Sequence, residues 1–426
     1  MRLARLKVQQ RQSRKYMPSN ETNLPPPKVL HDTLRKVTER LASELARPTN
    51  LTPDWSDFEW QLARAVAAMH GVSPLLAIKL KWNAPQGWVT FLQTQRAHVA
   101  IRHRRIEELL SQLDIRSREA GLAIVGLKGA ALHALGLYRA GERPMADIDL
   151  LVHPRDTERA GRMIESLGMH ESGSNWRHRN FIPAVSNIHA DMGEHADNYI
   201  KIELHERIAE AVPLRTTEVT QSVWPRRPHP GLNGYPSNAA LMAHLLIHAA
   251  GAMAFRTLRL LHLHDIALVS SRMSGPDWDE LLTQGVDTGG LWWALPPLQL
   301  TARYYDVSVP APVLDTLAGH CHWTLRRIVR HQSLSDVSMS YLWIEAFPGI
   351  GWSRTAAEVM EYVSRRIRPD KETIRQRKLL IDSEVAFSHS QWSRLSQGQR
   401  MLRWVVSRQA RVDTMHAVRT ALAQPQ

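Results

Sequence analysis

The spacing of apolar residues changes along the chain from a helical period to a strand period and back. Apolar residues recur at three- and four-residue spacing from Trp55 to Met69, which predicts an amphipathic helix. A longer helix is predicted from Trp88 to Arg118, with the arginine and histidine run 102–105 mostly on its polar face. Before both, residues 1–28 are polar, basic and rich in proline near their end, which indicates a flexible lead-in.

Short apolar runs bounded by glycine and proline replace the helical spacing after Gly121. They predict strands at 122–127, 147–152 and 199–205, and helices at 130–137 and 155–167. In the third strand, isoleucine and leucine alternate with Lys201, Glu203 and His205, so these three polar residues share one face. Interleaved strands and helices predict a mixed α/β, or α+β, segment.

Helical patterns return after the proline-rich stretch 225–236, and no further strand is predicted before residue 316. Consecutive helices are predicted at 237–251, 256–271, 277–286 and 291–305. Near the C-terminus a helix is predicted at 355–367, while Trp323 and 338–347 fit a strand.

These patterns predict a small mixed sheet embedded in largely helical N- and C-terminal regions. The predicted divisions are a basic, partly disordered lead-in at 1–50, a helical region at 51–119, an α/β domain at 120–225, a helical domain at 237–318, and a basic, mostly helical region at 319–426.

Composition narrows the class of protein. With 426 residues, 43% of them hydrophobic, and 14 tryptophans, the chain can fill real cores, which excludes wholesale disorder and a fibrous repeat. The single cysteine, Cys321, cannot form an intrachain disulfide and is expected to be buried filler. We find no secretory signal and no run of roughly 18 apolar residues, so a cytoplasmic protein without a membrane partner is expected.

The formal net charge of +13 is concentrated at the two ends. Residues 1–50 carry 11 basic and 4 acidic side chains, residues 351–426 carry 14 and 7, and the 300 residues between carry 29 and 30. Basic ends are more often solvated arms than specific binding surfaces. Nucleic acid is therefore possible as a partner of the termini, but it is not the favoured one.

Two aspartates on the second predicted strand form the strongest candidate site. Asp147 and Asp149 are two residues apart, so their carboxylates project from one face, about 7 Å apart along the strand. Paired hard oxygen donors suit Mg²⁺ or Mn²⁺, although two solvated aspartates would give the same pattern. Glu203 is the best candidate for a third metal-binding carboxylate, with Asp191 in reserve.

Basic residues near these acids suggest a phosphate site. Lys128 and Gly129 lie between a strand and a helix start, where free backbone N–H groups and the lysine charge favour a phosphate. Arg139 and Arg143, in the following loop, could reach a triphosphate, or they could be ordinary solvated arginines.

Histidines form a second candidate cluster. Its members are His244, His248, His262, His264 and Asp265. His244 and His248 are four residues apart, which could suggest a zinc site, but the sequence has no His-Glu-x-x-His pattern. A structural role for the cluster is therefore favoured, in which His248 and Asp265 support the α/β domain from behind. His205, on the Glu203 face, is the histidine expected at the cleft.

The motifs together resemble a known family. Leu127-Lys-Gly-Ala-Ala131, Arg143, Asp147-Ile-Asp-Leu-Leu-Val152 and Ile202-Glu-Leu-His205 are similar to the LKG…R…DIDLLV pattern of an uncharacterised bacterial nucleotidyltransferase family in the DNA polymerase β-like superfamily. The resemblance covers roughly residues 55–306. It implies a polymerase β-like fold, three metal-binding carboxylates, and transfer of a nucleoside monophosphate from an NTP such as ATP with release of pyrophosphate.

Three features depart from the superfamily pattern. Ala130 follows Lys128-Gly129 where Gly-Ser is usual, the gap from Gly129 to Asp147 is long, and the third acid is Glu203 instead of aspartate. The predicted function is metal-dependent nucleotidyl transfer to an unknown hydroxyl acceptor on a protein, a small molecule, a saccharide or an RNA. The alternatives are a non-catalytic nucleotide- or nucleic-acid-binding regulator on a degenerate domain, and the toxin or antitoxin role of small relatives.

Overall fold

A mixed sheet lies among helices contributed by both ends of the chain. The structure is a computed structural model that describes residues 24–185, 189, 192–284, 290–306, 309–383, 392 and 395–424. The helices before the sheet are α1 (Pro27–Ala46), α2 (Asp57–Met69), α3 (Ser73–Lys79) and α4 (Gln86–Glu119). The predicted helix 88–118 is thereby confirmed.

The described residues form a six-stranded sheet in the order β3-β4-β5-β2-β1-β8. Its strands are β1 (Ala123–Gly126), β2 (Asp147–Val152), β3 (Met169–Ser174), β4 (His178–Pro183), β5 (Lys201–His205) and β8 (Gly231–Asn233). The pairs β2/β5 and β1/β8 are parallel and the other pairs are antiparallel. A separate hairpin joins β6 (Ala209–Val212) and β7 (Arg215–Glu218). This mixed sheet confirms the predicted α+β class.

Helices connect the strands and follow the sheet. Those within the sheet segment are α5 (Gly129–Ala134), α6 (Thr157–Ser166) and α7 (Thr220–Val223). Those after it are α8 (Asn238–Ala254), α9 (Leu260–Ser270), α10 (Gly275–Thr283), α11 (Leu295–Tyr304), α12 (Ala311–His320), α13 (Trp323–His331), α14 (Leu334–Val337), α15 (Ala356–Ile367), α16 (Lys371–Ser383), α17 (Gln397–Val406) and α18 (Val412–Ala423). No helix among the described residues combines the length and apolar character needed to cross a bilayer.

One face of the sheet is an apolar core, and this burial orients the site. Ile148 and Leu150 of β2 and Ile202 and Leu204 of β5 pack in a cluster with side chains of α4 and α6. Side chains alternate between the two faces of a strand. Asp147, Asp149, Lys201, Glu203 and His205 therefore point to the opposite face.

The segment predicted as a basic, partly disordered lead-in, residues 1–50, contains a long helix. Residues 1–23 lie outside the described part of the chain, but α1 is a 20-residue helix. Its leucines at positions 30, 34, 41 and 45 are at most 2% exposed. With the buried Val37 they recur at three- and four-residue spacing, which is helical, and the basic composition of the segment concealed it.

Other predictions of local structure were wrong. β3, β4, β6 and β7 were not predicted, and β8 lies inside the proline-rich stretch 225–236, where no strand was expected. Trp323 begins a helix, and 338–347 contributes only isolated bridges, from Ser338 and Trp343, among the described residues. Cys321 is buried as expected.

Arg102 lies inside the protein and not on the polar face of α4. Its side chain is buried and donates hydrogen bonds to the carbonyls of Asn198, at 2.7 Å, and Met145, at 2.9 Å. Because a guanidinium carries five N–H donors, backbone carbonyls can satisfy it in the interior. Arg102 thus ties α4 to the two segments that lead into β2 and β5.

A buried ion pair connects the β1–β2 loop to α9. Arg143 donates from Nε and Nη2 to the two carboxylate oxygens of Asp265, at 3.0 and 2.8 Å. The Tyr138 hydroxyl donates to the same carboxylate at 2.6 Å. The side chains of Arg143 and Asp265 are only 10% and 2% exposed. Removing one partner therefore leaves a buried charge without compensation.

We predict that Arg143→Met lowers the free energy of unfolding by about 3–5 kcal/mol, because it leaves the buried Asp265 carboxylate without a positively charged partner. Urea denaturation of purified protein measures this loss. Arg365→Met is the matched control, since Arg365 pairs with Glu361 on the surface, with side chains 64% and 50% exposed. The control should cost less than about 1 kcal/mol.

The double variant Arg143→Met/Asp265→Leu should be less destabilised than the sum of the two single variants, because the two charges leave together. Additive losses, or an equal loss in the Arg365→Met control, would contradict the assignment of Arg143 to a structural ion pair.

Candidate functional site

The parallel pairing of β2 with β5 brings the predicted acids together. In the register, Asp147 lies opposite Lys201, Asp149 opposite Glu203, and Leu151 opposite His205. Neighbouring strands are about 4.8 Å apart, so side chains at paired positions on one face are in contact range. Asp147, Asp149 and Glu203 therefore form one acidic group.

Asp149 is the most enclosed of the acids. Its side chain is 8% exposed, and its two carboxylate oxygens contact Lys128 Nζ at 3.2 Å and His205 Nε2 at 3.0 Å. Burial by itself raises the pKa of Asp149, but the Lys128 charge and the His205 hydrogen bond hold it well below its usual value. Asp149 is thus a carboxylate at neutral pH.

Glu203 is held by three basic side chains. Lys201 Nζ donates to Oε1, and Oε2 lies 3.4 Å from His178 Nδ1 and 3.6 Å from His205 Nε2. Burial raises the pKa of Glu203, but the adjacent His205 imidazole and the charge of Lys201 bring it down to about 2. Glu203 is also ionised at neutral pH.

Asp147 is the acid that solvent reaches most easily. Its side chain is 36% exposed, and Lys201 Nζ lies 3.8 Å from its Oδ2. Partial burial and the negative charges of Asp149 and Glu203 raise the pKa of Asp147 to about 6. The basic residues of the site therefore leave part of the repulsion at Asp147 uncompensated.

The three carboxylates fit a divalent cation. Asp147 and Glu203 both contact the Lys201 ammonium, so they converge on a common positive charge. Hard carboxylate oxygens in this arrangement suit Mg²⁺ or Mn²⁺.

His178 lies beside Glu203, and the potential ligand atoms of His178, Glu203 and His205 are all within 4.8 Å of one another, close enough to share a metal ion. Asn175 Oδ1 accepts the backbone N–H groups of Arg177 and His178, at 2.7 and 3.1 Å, so its amide nitrogen faces His178 Nε2 at 3.0 Å. An imidazole that accepts at Nε2 carries its proton on Nδ1. Burial lowers the pKa of His178 to about 4, so the ring is neutral and turns an N–H toward Glu203.

Lys128 enters the site from a constrained turn. Its φ of 43° lies in the left-handed region, which is uncommon for a residue with a side chain. Its backbone N–H donates to the Tyr235 hydroxyl at 3.2 Å, and that hydroxyl lies 2.6 Å from His244 Nδ1 on α8. Tyr235 and His244 thus hold the turn that aims Lys128 at Asp149.

The remaining residues predicted for the site do not contact the three acids among the described residues. Arg143 is occupied by Asp265, and its Nη1 lies against Gly129. Arg139 is exposed, and its backbone N–H donates to Glu142 at 2.8 Å. His248 Nδ1 lies 3.3 Å from Glu210, so it supports β6. Asp191 lies outside the described residues.

Three contributors to the site, Lys201, His178 and Tyr235, were not assigned a role from the sequence, and His244 was expected only as a member of a structural histidine cluster. Lys201 was placed on the correct face, but its bridging contacts depend on the pairing of β5 with β2. His178 belongs to a strand that was not predicted, and Tyr235 and His244 reach Lys128 from far along the chain. The alternation of β5 was the available signal, and it identified Lys201 alone.

Gly129 has no room for a side chain. A Cβ there would lie 2.6 Å from Arg143 Nη1 and 3.0 Å from the Met145 side chain. We predict that Gly129→Ala lowers the free energy of unfolding by about 1–3 kcal/mol through overpacking, measured by urea denaturation.

Gly126→Ala is the matched control, because its Cβ would meet only the Ala130 Cβ, at an ordinary 3.5 Å. Alanine also costs less conformational entropy than glycine in a strand, so the control should leave stability unchanged or raise it by up to about 1 kcal/mol. Equal losses at both positions would rule out the steric explanation.

Comparison with known proteins agrees with this geometry. Residues 56–306 match the model of a family described as uncharacterised nucleotidyltransferase. No curated protein and no solved structure matches the chain. The family match spans more than half of the 426 residues and contains all of β1, β2 and β5. The chain therefore belongs to this family of uncharacterised nucleotidyltransferases.

Proposed function

We propose that this protein is a divalent-metal-dependent enzyme that transfers a nucleoside monophosphate from an NTP to a hydroxyl acceptor. The observation that carries the proposal is the β2/β5 register, which sets Asp149 opposite Glu203 with Asp147 on the same face. Lys128 reaches this acidic group from the β1–α5 turn. Acids for a metal and a cation for phosphate thus share one site.

Each side chain has a role in this proposal. Asp147, Asp149 and Glu203 would hold Mg²⁺ or Mn²⁺, which when bound neutralises phosphate charge and makes an attacking hydroxyl more acidic. Lys128 would place its ammonium against the triphosphate, where three rotatable N–H donors suit phosphate oxygens. Lys201 and His205 keep the carboxylates oriented through the contacts described above.

The transfer exchanges a phosphoanhydride bond of the NTP for a phosphoester bond to the acceptor. The acceptor oxygen forms a bond to the α-phosphorus, and the bond from that phosphorus to the bridging β-phosphate oxygen breaks. Pyrophosphate leaves with the electron pair, and the acceptor proton passes to water. We assign the attacking hydroxyl to the substrate, because the side chains that contact the three acids are lysines and histidines.

The acceptor is a protein, a small molecule, a saccharide or an RNA end, and a transfer assay with a mixed acceptor pool distinguishes these classes. We predict that wild-type protein labels a component of cell extract when it is incubated with an α-labelled NTP and Mg²⁺ or Mn²⁺. Asp147→Asn/Asp149→Asn should lower the rate by about a hundredfold or more, because several kcal/mol of transition-state stabilisation is lost.

The control for this assay is Asp156→Asn, which removes a carboxylate that pairs with Arg159 in the turn before α6 and does not contact the site acids. It should retain full transfer. Equal labelling by the wild type and the double variant would contradict the proposed metal site. Nucleotide binding without transfer under any metal would favour the non-catalytic regulator.

Lys128 can be tested separately by nucleotide binding. We predict that Lys128→Met weakens binding of a non-hydrolysable NTP with Mg²⁺ by about 10- to 100-fold in calorimetry, because charged hydrogen bonds contribute about 1.5–3 kcal/mol. Arg139→Ala, an exposed loop arginine, is the comparison. Unchanged affinity in Lys128→Met would remove Lys128 from the phosphate site, and a loss in Arg139→Ala would add Arg139 to it.

A further inference from the structure

Helix α13 presents a basic face with an exposed tryptophan. We define the α13 basic face as the side chains at spacing i, i+3, i+4, i+7 and i+8 on this helix: Trp323, Arg326, Arg327, Arg330 and His331. All five are exposed, and Trp323 is 67% exposed. Leu325 and Val329 are buried in the protein core, so the helix is anchored by the opposite side.

The charges on this face are not balanced within the described residues. No carboxylate among them lies within ion-pair distance of Arg326, Arg327 or Arg330. Some exposed helical arginines elsewhere are paired three or four residues away, as Arg116 is with Glu119 and Arg365 with Glu361. Like charges at i, i+4, such as Arg326 and Arg330, weaken a helix. What distinguishes this helix is that three arginines share one face with an exposed tryptophan.

The chemistry of the face fits single-stranded nucleic acid. Bases stack on aromatic side chains whatever their sequence, and arginines neutralise the phosphates beside them. The face extends about 12 Å along the helix axis, at 1.5 Å per residue, which matches three or four stacked nucleotides. We propose that the α13 basic face binds single-stranded nucleic acid, with Trp323 as the stacking platform.

A membrane surface fits this face less well. Helices that lie on a bilayer bury a continuous apolar side in the lipid. The apolar residues Leu325 and Val329 already pack in the protein core, and the exposed apolar side chains Trp323 and Ile328 are five residues apart and do not form a continuous apolar side. The face also lies outside residues 1–50 and 351–426, which carry the charge excess of the chain. It is therefore a different candidate from the basic termini, and it does not depend on the proposed transferase activity.

Fluorescence anisotropy of the full chain with labelled oligo-U and oligo-dT of twelve nucleotides tests the proposal. Trp323→Ala should weaken binding by at least about fivefold, and Trp323→Phe should restore most of the affinity, because a ring supplies the stacking. Arg326→Gln/Arg327→Gln/Arg330→Gln should reduce the slope of log affinity against log salt by about 2, at roughly 0.7 per phosphate contact.

The matched control is Arg116→Gln/Arg118→Gln/Arg159→Gln, which removes the same charge from exposed arginines that already have acidic partners and lie outside the basic termini. It should change the salt slope by less than half as much. Equal slopes for the two triple variants, unchanged affinity in Trp323→Ala, or no oligonucleotide binding at low salt would overturn the proposal. Binding to phosphatidylserine vesicles that Trp323→Ala abolishes, without oligonucleotide binding, would assign the face to lipid. Thermal unfolding confirms that each variant folds.

Discussion

The carboxylates of Asp147, Asp149 and Glu203 lie close together on one face of the sheet and repel one another. The surrounding residues offset most of this repulsion. A buried charge without a partner costs several kcal/mol, so such a group persists only if nearby cations offset it. Lys128, Lys201 and His205 offset the charges of two of the acids. The pKa values of Asp149 and Glu203 therefore fall well below normal. Asp147 is left with a raised pKa of about 6. The incomplete compensation at the most accessible acid is what makes the site suited to a further cation.

The helices after the sheet hold in place the segments that carry Lys128 and Arg143. The Tyr235 hydroxyl, backed by His244 on α8, satisfies the backbone N–H of Lys128 in its left-handed conformation. Asp265 on α9 holds Arg143, which in turn lies against Gly129. Both ends of the Lys128–Gly129 turn are therefore fixed by residues far along the chain. Helices α8 and α9 therefore fix the geometry of the site in addition to covering the sheet.

Local pattern was enough to predict β2 and β5, because β2 is a short, mostly apolar run and β5 alternates apolar and polar residues. It was not enough for β4, whose sequence His178–Pro183 has three polar residues followed by three apolar ones and does not alternate, or for the three-residue β8, which is defined by pairing with β1 far earlier in the chain. The same limit applies to the site. Charge and spacing predicted three acids that the register does bring together, but they could not show that Arg143 has a buried partner 122 residues away.

Residues outside the family match also bear on the position of the site. Burial lowers the pKa of His70 to about 3, so its ring is neutral, with one donor and one acceptor nitrogen. Nδ1 accepts the Leu260 N–H at the start of α9, at 2.8 Å, which leaves Nε2 to donate to Ser340 at 3.1 Å. Ser340 also bonds Thr38 of α1 at 2.8 Å. The N- and C-terminal additions therefore meet where α9 begins, one and a half turns before Asp265, and they help to fix the helix on which the Arg143 anchor depends.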